Sequence, residues 1–242
     1  MKGKFLIAAN WKMYEELPQG FDAADSPFRT RSAVDVIVFA SFLDIVECIH
    51  AQLITGAQTG RPEPKAARTG DVSIARIKKK GCRYVLCGHS ERRKEYGETD
   101  DFVAQQAIAT LEAGMHPIVC VGETAEERGK SAQEKVIERQ MRQLPSGVTI
   151  AYEPVWAISG GDPTKPAATT QDAQKMHAFI RTLLPDDQRD GTRILYGGSM
   201  NATNCEALLR CPDIDGGLVG GASLRPEEFR KIIEVAAGIT NE

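Results

Sequence analysis

The chain has 242 residues, 42% of them apolar and 26% charged, and carries a formal net charge of −3. That length suits one α/β barrel of about 250 residues or two small domains, and the composition excludes disordered and fibrous classes. The weak acidity leaves no basic footprint for nucleic acid, the run Lys78-Lys79-Lys80 being too short to make one.

Short apolar runs alternate with amphipathic stretches from end to end. The expected strands are Phe5–Asn10, Val34–Phe39, Leu53–Ala57, Tyr84–Cys87, Pro117–Val121, Val148–Tyr152, Arg193–Tyr196 and Gly217–Val219. Most are too uniformly apolar to have a wet face, as parallel strands covered by helices would be. Between them, Phe229, Ile232, Ile233 and Ala236 recur at helical spacing, and Ile137, Met141 and Leu144 are interleaved with Val136, Gln140 and Gln143. Helix starts are marked by the capping-box pair Thr124 and Glu127, by Asn201 before Ala202, and by Pro226 with Glu227 and Glu228. Eight strands alternating with helices predict a closed (β/α)₈ barrel over residues 1–242, read as one domain, with a doubly wound open sheet as the alternative. Two segments depart from the pattern. Pro18, Gly20 and Pro27 leave little room for a helix in the first crossover, Glu15 to Ser32, and Pro62 and Pro64 predict a long irregular loop from Thr59 to Asp71.

The apolar run after Met1-Lys2-Gly3-Lys4 is shorter than a signal core, and no segment approaches the length of a membrane span. The cysteines, Cys48, Cys82, Cys87, Cys120, Cys205 and Cys211, show no C-x-x-C pairing. Reduced, buried thiols and a cytoplasmic location are therefore expected, without disulfides or zinc.

In barrels the chemistry sits where the carboxyl ends of the strands converge. Those ends carry Asn10-Trp11-Lys12, Gly88-His89-Ser90-Glu91, Glu153, Gly197-Gly198-Ser199 and Gly220-Gly221-Ala222-Ser223. Glu153 closes an apolar strand and precedes Pro154 and the punctuation Ser159-Gly160-Gly161-Asp162-Pro163, which suits a general base beside a closing loop. The octapeptide Ala151–Ile158 alone leaves this open against a solvated strand-end acid. Tight turns use glycine for backbone reasons alone, yet two Gly-Gly turns after strands seven and eight stand where barrels commonly hold phosphate. Lys12 is placed to neutralise an anionic substrate. His89 stands just before an expected helix start, whose dipole favours a neutral imidazole, although a structural hydrogen-bonding histidine is the alternative.

Six stretches together resemble the triosephosphate isomerase family along nearly the whole chain. They are Ala9-Asn10-Trp11-Lys12-Met13, Gly88-His89-Ser90-Glu91-Arg92-Arg93, Cys120-Val121-Gly122-Glu123-Thr124, Tyr152-Glu153-Pro154-Val155-Trp156-Ala157-Ile158, Tyr196-Gly197-Gly198-Ser199 and Val219-Gly220-Gly221-Ala222-Ser223. The family is itself a standard worked case of a glutamate base beside a neutral histidine, so these roles come with the resemblance. It implies interconversion of dihydroxyacetone phosphate and glyceraldehyde 3-phosphate with no metal or organic cofactor, Glu153 as base and His89 as proton donor. Asn10 and Lys12 would stabilise the developing charge; Ser159, Ser199, Gly220 and Gly221 would bind phosphate. Glu91 would lie close to the site, and Thr69 would reach the partner's site in a homodimer. Ile158 and Leu218 would clamp Glu153 on closure, where desolvation strengthens a carboxylate base. The expected partners are thus a triose phosphate and a second copy, without nucleic acid or membrane.

The chain departs from the family at Ser159-Gly160-Gly161-Asp162-Pro163-Thr164-Lys165-Pro166, in a loop about four residues longer by visual alignment, and at Ala40-Ser41-Phe42, Thr59 and Asp71. A barrel that binds sugar phosphates without chemistry is the competing reading, but binding alone does not require His89 or Glu153. An aldolase would need a second strand-end lysine or a metal cluster, and the sequence shows neither.

Overall fold

The computed structural model describes residues 3–158 and 168–240. Eight parallel strands form a closed barrel in sequence order: β1 Phe5–Asn10, β2 Val34–Ala40, β3 Thr55–Ala57, β4 Tyr84–Cys87, β5 His116–Val121, β6 Thr149–Tyr152, β7 Ile194–Tyr196 and β8 Gly216–Val219. The closing pair sets Ala8 of β1 against Leu218 of β8, while Ala8 meets Ile37 on the other side. The described helices are α1 Ile45–His50, α2 Ile74–Lys79, α3 Ser90–Tyr96, α4 Asp100–Glu112, α5 Ala125–Gly129, α6 Gln133–Met141, α7 Thr170–Leu183, α8 Cys205–Leu209 and α9 Pro226–Thr240.

Strand alternation divides the core in two. Leu6, Ala8, Ile37, Phe39, Leu86, Ile118, Cys120, Ala151, Leu195 and Leu218 fill the barrel interior, and their neighbours Ile7, Ala9, Val36, Val38, Val119 and Ile150 face the helices. Continuing the inward series of six strands by two residues reaches the mouth: Asn10 after Ala8, Gly88 after Leu86, Gly122 after Cys120, Glu153 after Ala151, Gly197 after Leu195 and Gly220 after Leu218. Four of these six positions are glycine, so the mouth is open around one amide and one carboxylate.

The first crossover contains turns and no helix among its described residues, as its prolines predict. Aromatic packing replaces the helix. Trp11 meets Phe28 edge-on at 5.1 Å, and Phe28 stacks on Phe229 of α9 at 4.9 Å. The Thr30 hydroxyl closes the return by bonding both the N–H and the carbonyl of Val36, each at 3.0 Å. Residues 59–71 form the expected irregular loop, tied by a bridge between Arg61 and Ser73.

Asn201 caps the turn from Ala202 as expected: its side-chain oxygen accepts Thr203 N–H and Asn204 N–H and its carbonyl accepts Cys205 N–H, although the regular helix α8 begins only at Cys205. Two local expectations need correction. Leu53 is not in β3, because its N–H returns to Cys48 in the turn after α1. Leu144 lies beyond the end of α6 at Met141. The Thr124–Glu127 capping box forms as expected, and all six cysteines are buried free thiols.

Gly217 shows how closely the outer core is fitted. A Cβ there would stand 2.6 Å from the Met200 sulfur, so Met200 occupies the volume that a side chain at 217 would need. Gly217→Val should therefore lower stability by about 1–3 kcal/mol through overpacking. Adding Met200→Ala should return at least half of that loss. Urea melts of the two single variants and the double variant test this, and simple additivity would rule the account out.

Candidate active site

Glu153 follows β6 and is only 2% exposed. Its backbone N–H donates to Val121 of β5 at 2.8 Å, which fixes the stem of the side chain. One carboxylate oxygen, Oε2, accepts the Ser90 backbone N–H at 2.8 Å, at the first residue of α3, where helix donors are free. The other, Oε1, lies 3.0 Å from His89 Nε2.

His89 caps α3 with its ring: Nδ1 accepts the Glu91 N–H at 3.3 Å. A nitrogen that accepts carries no proton, so the neutral ring has its hydrogen on Nε2, pointing at Glu153. The helix start thereby fixes the tautomer. The expected lowering of the histidine's pKa does not follow in this arrangement. Burial pulls His89 down, but the Glu153 carboxylate and its hydrogen bond outweigh burial and hold the ring above its ordinary value. Burial likewise pushes Glu153 up, while His89, the Ser90 N–H and Lys12 together hold it below the usual carboxylate range.

Lys12 completes the array. Its Nζ is 2.5 Å from Glu91 Oε1, and Glu91 Oε2 is 3.6 Å from His89 Nδ1, so Lys12, Glu91, His89 and Glu153 form one line of alternating charge and imidazole. The Lys12 backbone has φ of 52°, in the left-handed region. It is held there by Asn10, whose side-chain oxygen accepts the Lys12 N–H at 3.1 Å, and by Gln58, whose amide donates to the Lys12 carbonyl at 2.7 Å.

The glycine turns lie beside this line. A Cβ on Gly220 would be 3.5 Å from Lys12 Cε, and Gly221 starts a short 3-10 turn with open space around it. The Ser199 hydroxyl donates to the Ala157 carbonyl at 3.2 Å, tying the turn after β7 to the segment after Glu153. Leu218 is buried in the barrel interior, and Ile158 is half-buried where the described segment ends. Ser159 and the remainder of the expected lid, residues 159–167, lie outside the described residues. Thr69 is exposed in the 59–71 loop.

Several contributors were not assigned roles from the sequence. Glu123 is fully buried and accepts from Tyr152 Oη at 3.1 Å to each oxygen and from Trp156 Nε1 at 2.8 Å, with Arg128 at 3.3 Å. It thus anchors the turn from Glu153 to Trp156. Its cues in the sequence are a carboxylate two residues after an apolar strand and its place in the stretch Cys120-Val121-Gly122-Glu123-Thr124. Gly122 and Gly197 are required by close approach: a Cβ on Gly122 would fall 1.8 Å from the Glu153 carbonyl oxygen, and one on Gly197 would fall 2.8 Å from Glu153 Cγ.

The sequence model of the family described as triosephosphate isomerase matches residues 5–236. The chain belongs to the triosephosphate isomerase family. Proteins named triosephosphate isomerase from Paracidovorax citrulli, Endomicrobium trichonymphae and Aquifex aeolicus are 43%, 41% and 40% identical to it. The matches cover 98%, 96% and 94% of this chain and 100%, 98% and 98% of those proteins. The barrel and its mouth are thus those of an isomerase family, and no helix among the described residues is long and apolar enough to cross a membrane.

The coupling between the two buried groups is measurable. Glu153→Gln removes the charge that raises His89 and leaves burial, which lowers it. The imidazole should then titrate at lower pH than in the native protein, read from its ring-proton resonance against pH. An unchanged or higher midpoint would show that Glu153 does not set the protonation of His89.

Proposed function

We propose that Glu153 is the base of an aldose–ketose isomerisation that interconverts dihydroxyacetone phosphate and D-glyceraldehyde 3-phosphate through an enediolate. The observation that carries this reading is the contact of two buried groups, Glu153 Oε1 and His89 Nε2 at 3.0 Å, at the carboxyl ends of β6 and β4. A phosphate-binding protein has no use for a buried carboxylate and imidazole in contact, whereas a proton transfer between adjacent carbons needs both.

In the forward direction Glu153 takes a proton from the carbon beside the ketone, and the electron pair of that C–H bond becomes the C–C double bond of the enediolate. The carbonyl oxygen gains negative charge as it does so. His89 donates its Nε2 hydrogen to that oxygen and takes a proton from the neighbouring hydroxyl, and Glu153 returns its proton to the second carbon. No proton is gained or lost overall. Lys12 and the Asn10 amide stabilise the charge on oxygen, and Lys12 also faces the phosphate. Backbone N–H groups at Ser159, Ser199, Gly220 and Gly221 hold the phosphate. Substrate entering the mouth draws Glu153 away from Ser90 and His89. Burial then acts with fewer opposing contacts and raises the basicity of the carboxylate. Ile158 and Leu218 close over it, excluding water that would otherwise promote loss of phosphate. The setting is the cytoplasmic triose-phosphate step of glycolysis and gluconeogenesis.

A coupled assay with glyceraldehyde 3-phosphate in the presence of chelator should show turnover, and Glu153→Gln should reduce kcat by at least about 10²–10⁴. Absence of turnover alongside intact phosphoglycolate binding would instead make this a binding barrel.

We further propose that a second copy covers the half of the mouth formed by the loops after β1 to β4. Those loops expose Met13 and Leu43 almost fully, at 94% and 92%, together with Tyr14 and Phe42; α3 ends on the exposed Tyr96, and the long 59–71 loop carries the exposed Thr69. That much apolar side chain on adjacent loops favours burial against a partner. Sedimentation should give a dimer at micromolar concentration, and a species that remains monomeric there would remove the proposal.

A further inference from the structure

Gln140 has no counterpart in the roles assigned so far, yet it is buried and spends its whole side-chain amide on one residue. It projects from α6 with 6% exposure. Its Oε1 accepts the Gly122 N–H at 2.8 Å, and its Nε2 donates to the Gly122 carbonyl at 3.1 Å. Both polar groups of one backbone residue are therefore satisfied by a single side chain from a helix.

The residue so clamped lies against the base. β5 ends at Val121, so Gly122 has left the ladder, and its Cα faces the Glu153 carbonyl so closely that a Cβ would stand 1.8 Å from that oxygen. On one side of Gly122, Val121 accepts the Glu153 N–H at 2.8 Å. On the other, the Glu123 carbonyl accepts the Val155 N–H at 3.2 Å, and its carboxylate holds Tyr152 and Trp156. Gly122 thus joins two anchors of the segment from Glu153 to Trp156, and having no side chain it cannot hold its own place by packing. Its orientation comes from Gln140.

We propose that Gln140 is a positioning residue for the catalytic base, fixing the Gly122 peptide so that the Glu153 carboxylate keeps its place at the mouth. This rests on the reading of Glu153 as the base. Catalysis by proton abstraction is steep in geometry: a displacement of about 1 Å caused by a distant mutation costs on the order of 100-fold in rate. Gln140 does not touch the substrate, so substrate affinity is nearly independent of it while the chemical step is not.

The test is Gln140→Met, similar in length but unable to make either bond, compared with Gln140→Glu, which keeps an acceptor for Gly122 N–H and loses the donor to its carbonyl. In the glyceraldehyde 3-phosphate assay Gln140→Met should lower kcat about 10- to 100-fold with KM changed less than about threefold. Gln140→Glu should fall between it and the native enzyme. The acid limb of the kcat/KM profile, which reports the free base, should shift in the Met variant. A general loss of stability would not move that limb or separate kcat from KM. Native kcat and an unshifted limb in folded Gln140→Met overturn the inference while leaving the function intact. Should the Met variant fail to fold, native kcat in Gln140→Glu overturns it, because the donor to Gly122 is then dispensable. If the native chain itself shows no turnover, the reading of Glu153 as a base fails first, and the two failures are distinguished.

Discussion

A carboxylate as fully removed from water as Glu153 is unfavourable unless donors replace its hydration, and much of the local structure around the barrel mouth supplies them. The Ser90 N–H is available because α3 starts there, and α3 starts there because His89 caps it with an imidazole nitrogen instead of a hydroxyl. The same cap leaves the imidazole hydrogen facing Glu153. One turn after β4 therefore performs two tasks: it solvates Glu153 and it sets the tautomer of His89. The chain reaches this turn through Gly88, whose φ of 66° and contact with Val103 and Arg93 admit no side chain without strain.

The linkage of this pair to folding has opposite signs on its two members. Glu153 is held below its ordinary value, so its contribution to stability is present above the usual carboxylate pKa and is lost as pH falls through the lowered one. His89 is held above its ordinary value, so its contribution is present below the usual histidine pKa and is lost as pH rises through the raised one. Their mutual support is therefore fullest between those limits. At the opposite end of the barrel the charges do different work. Asp35 pairs with Lys4 at 2.7 Å and Arg193 at 2.8 Å, and Arg181 bridges Asp213 and Asp215, which in turn accepts the Ile194 N–H. These pairs join strand starts to their neighbours and lie away from the mouth, where barrels keep stability apart from chemistry.

The sequence was most informative where a one-dimensional pattern maps onto a local constraint. All eight strands were placed to within about two residues, since buried parallel strands are short apolar runs and the runs between them carry helical spacing. Asn10, Lys12, His89 and Glu153 could be proposed together because strand ends converge in a barrel. What stayed hidden depends on contacts between segments far apart in the chain. Gly122 and Gly197 read as ordinary turn glycines until Glu153 is placed against them. Gln140 reads as a polar residue on an amphipathic helix, and Gln58 as a polar residue after a strand, until their amides are seen to hold Gly122 and Lys12. Asn201 was legible because a cap acts locally, its side chain taking the N–H groups two and three residues on.

Lys12 shows how those hidden contacts shape the barrel mouth. A non-glycine residue in the left-handed region costs roughly 1–2 kcal/mol and persists only where its surroundings enforce it. Here Asn10 takes its N–H and Gln58 its carbonyl, the same Gln58 amide also binding the Phe39 carbonyl at the end of β2. The strain is thus imposed by the ends of β1, β2 and β3 together. Its effect is to turn the chain sharply after β1, so that the Lys12 ammonium comes within 2.5 Å of Glu91 and its stem lies beside Gly220. An unstrained backbone at this point would carry the ammonium elsewhere. The contacts that enforce this torsion, and not the strain itself, thereby keep a cation between the helix that His89 caps and the turn after β8.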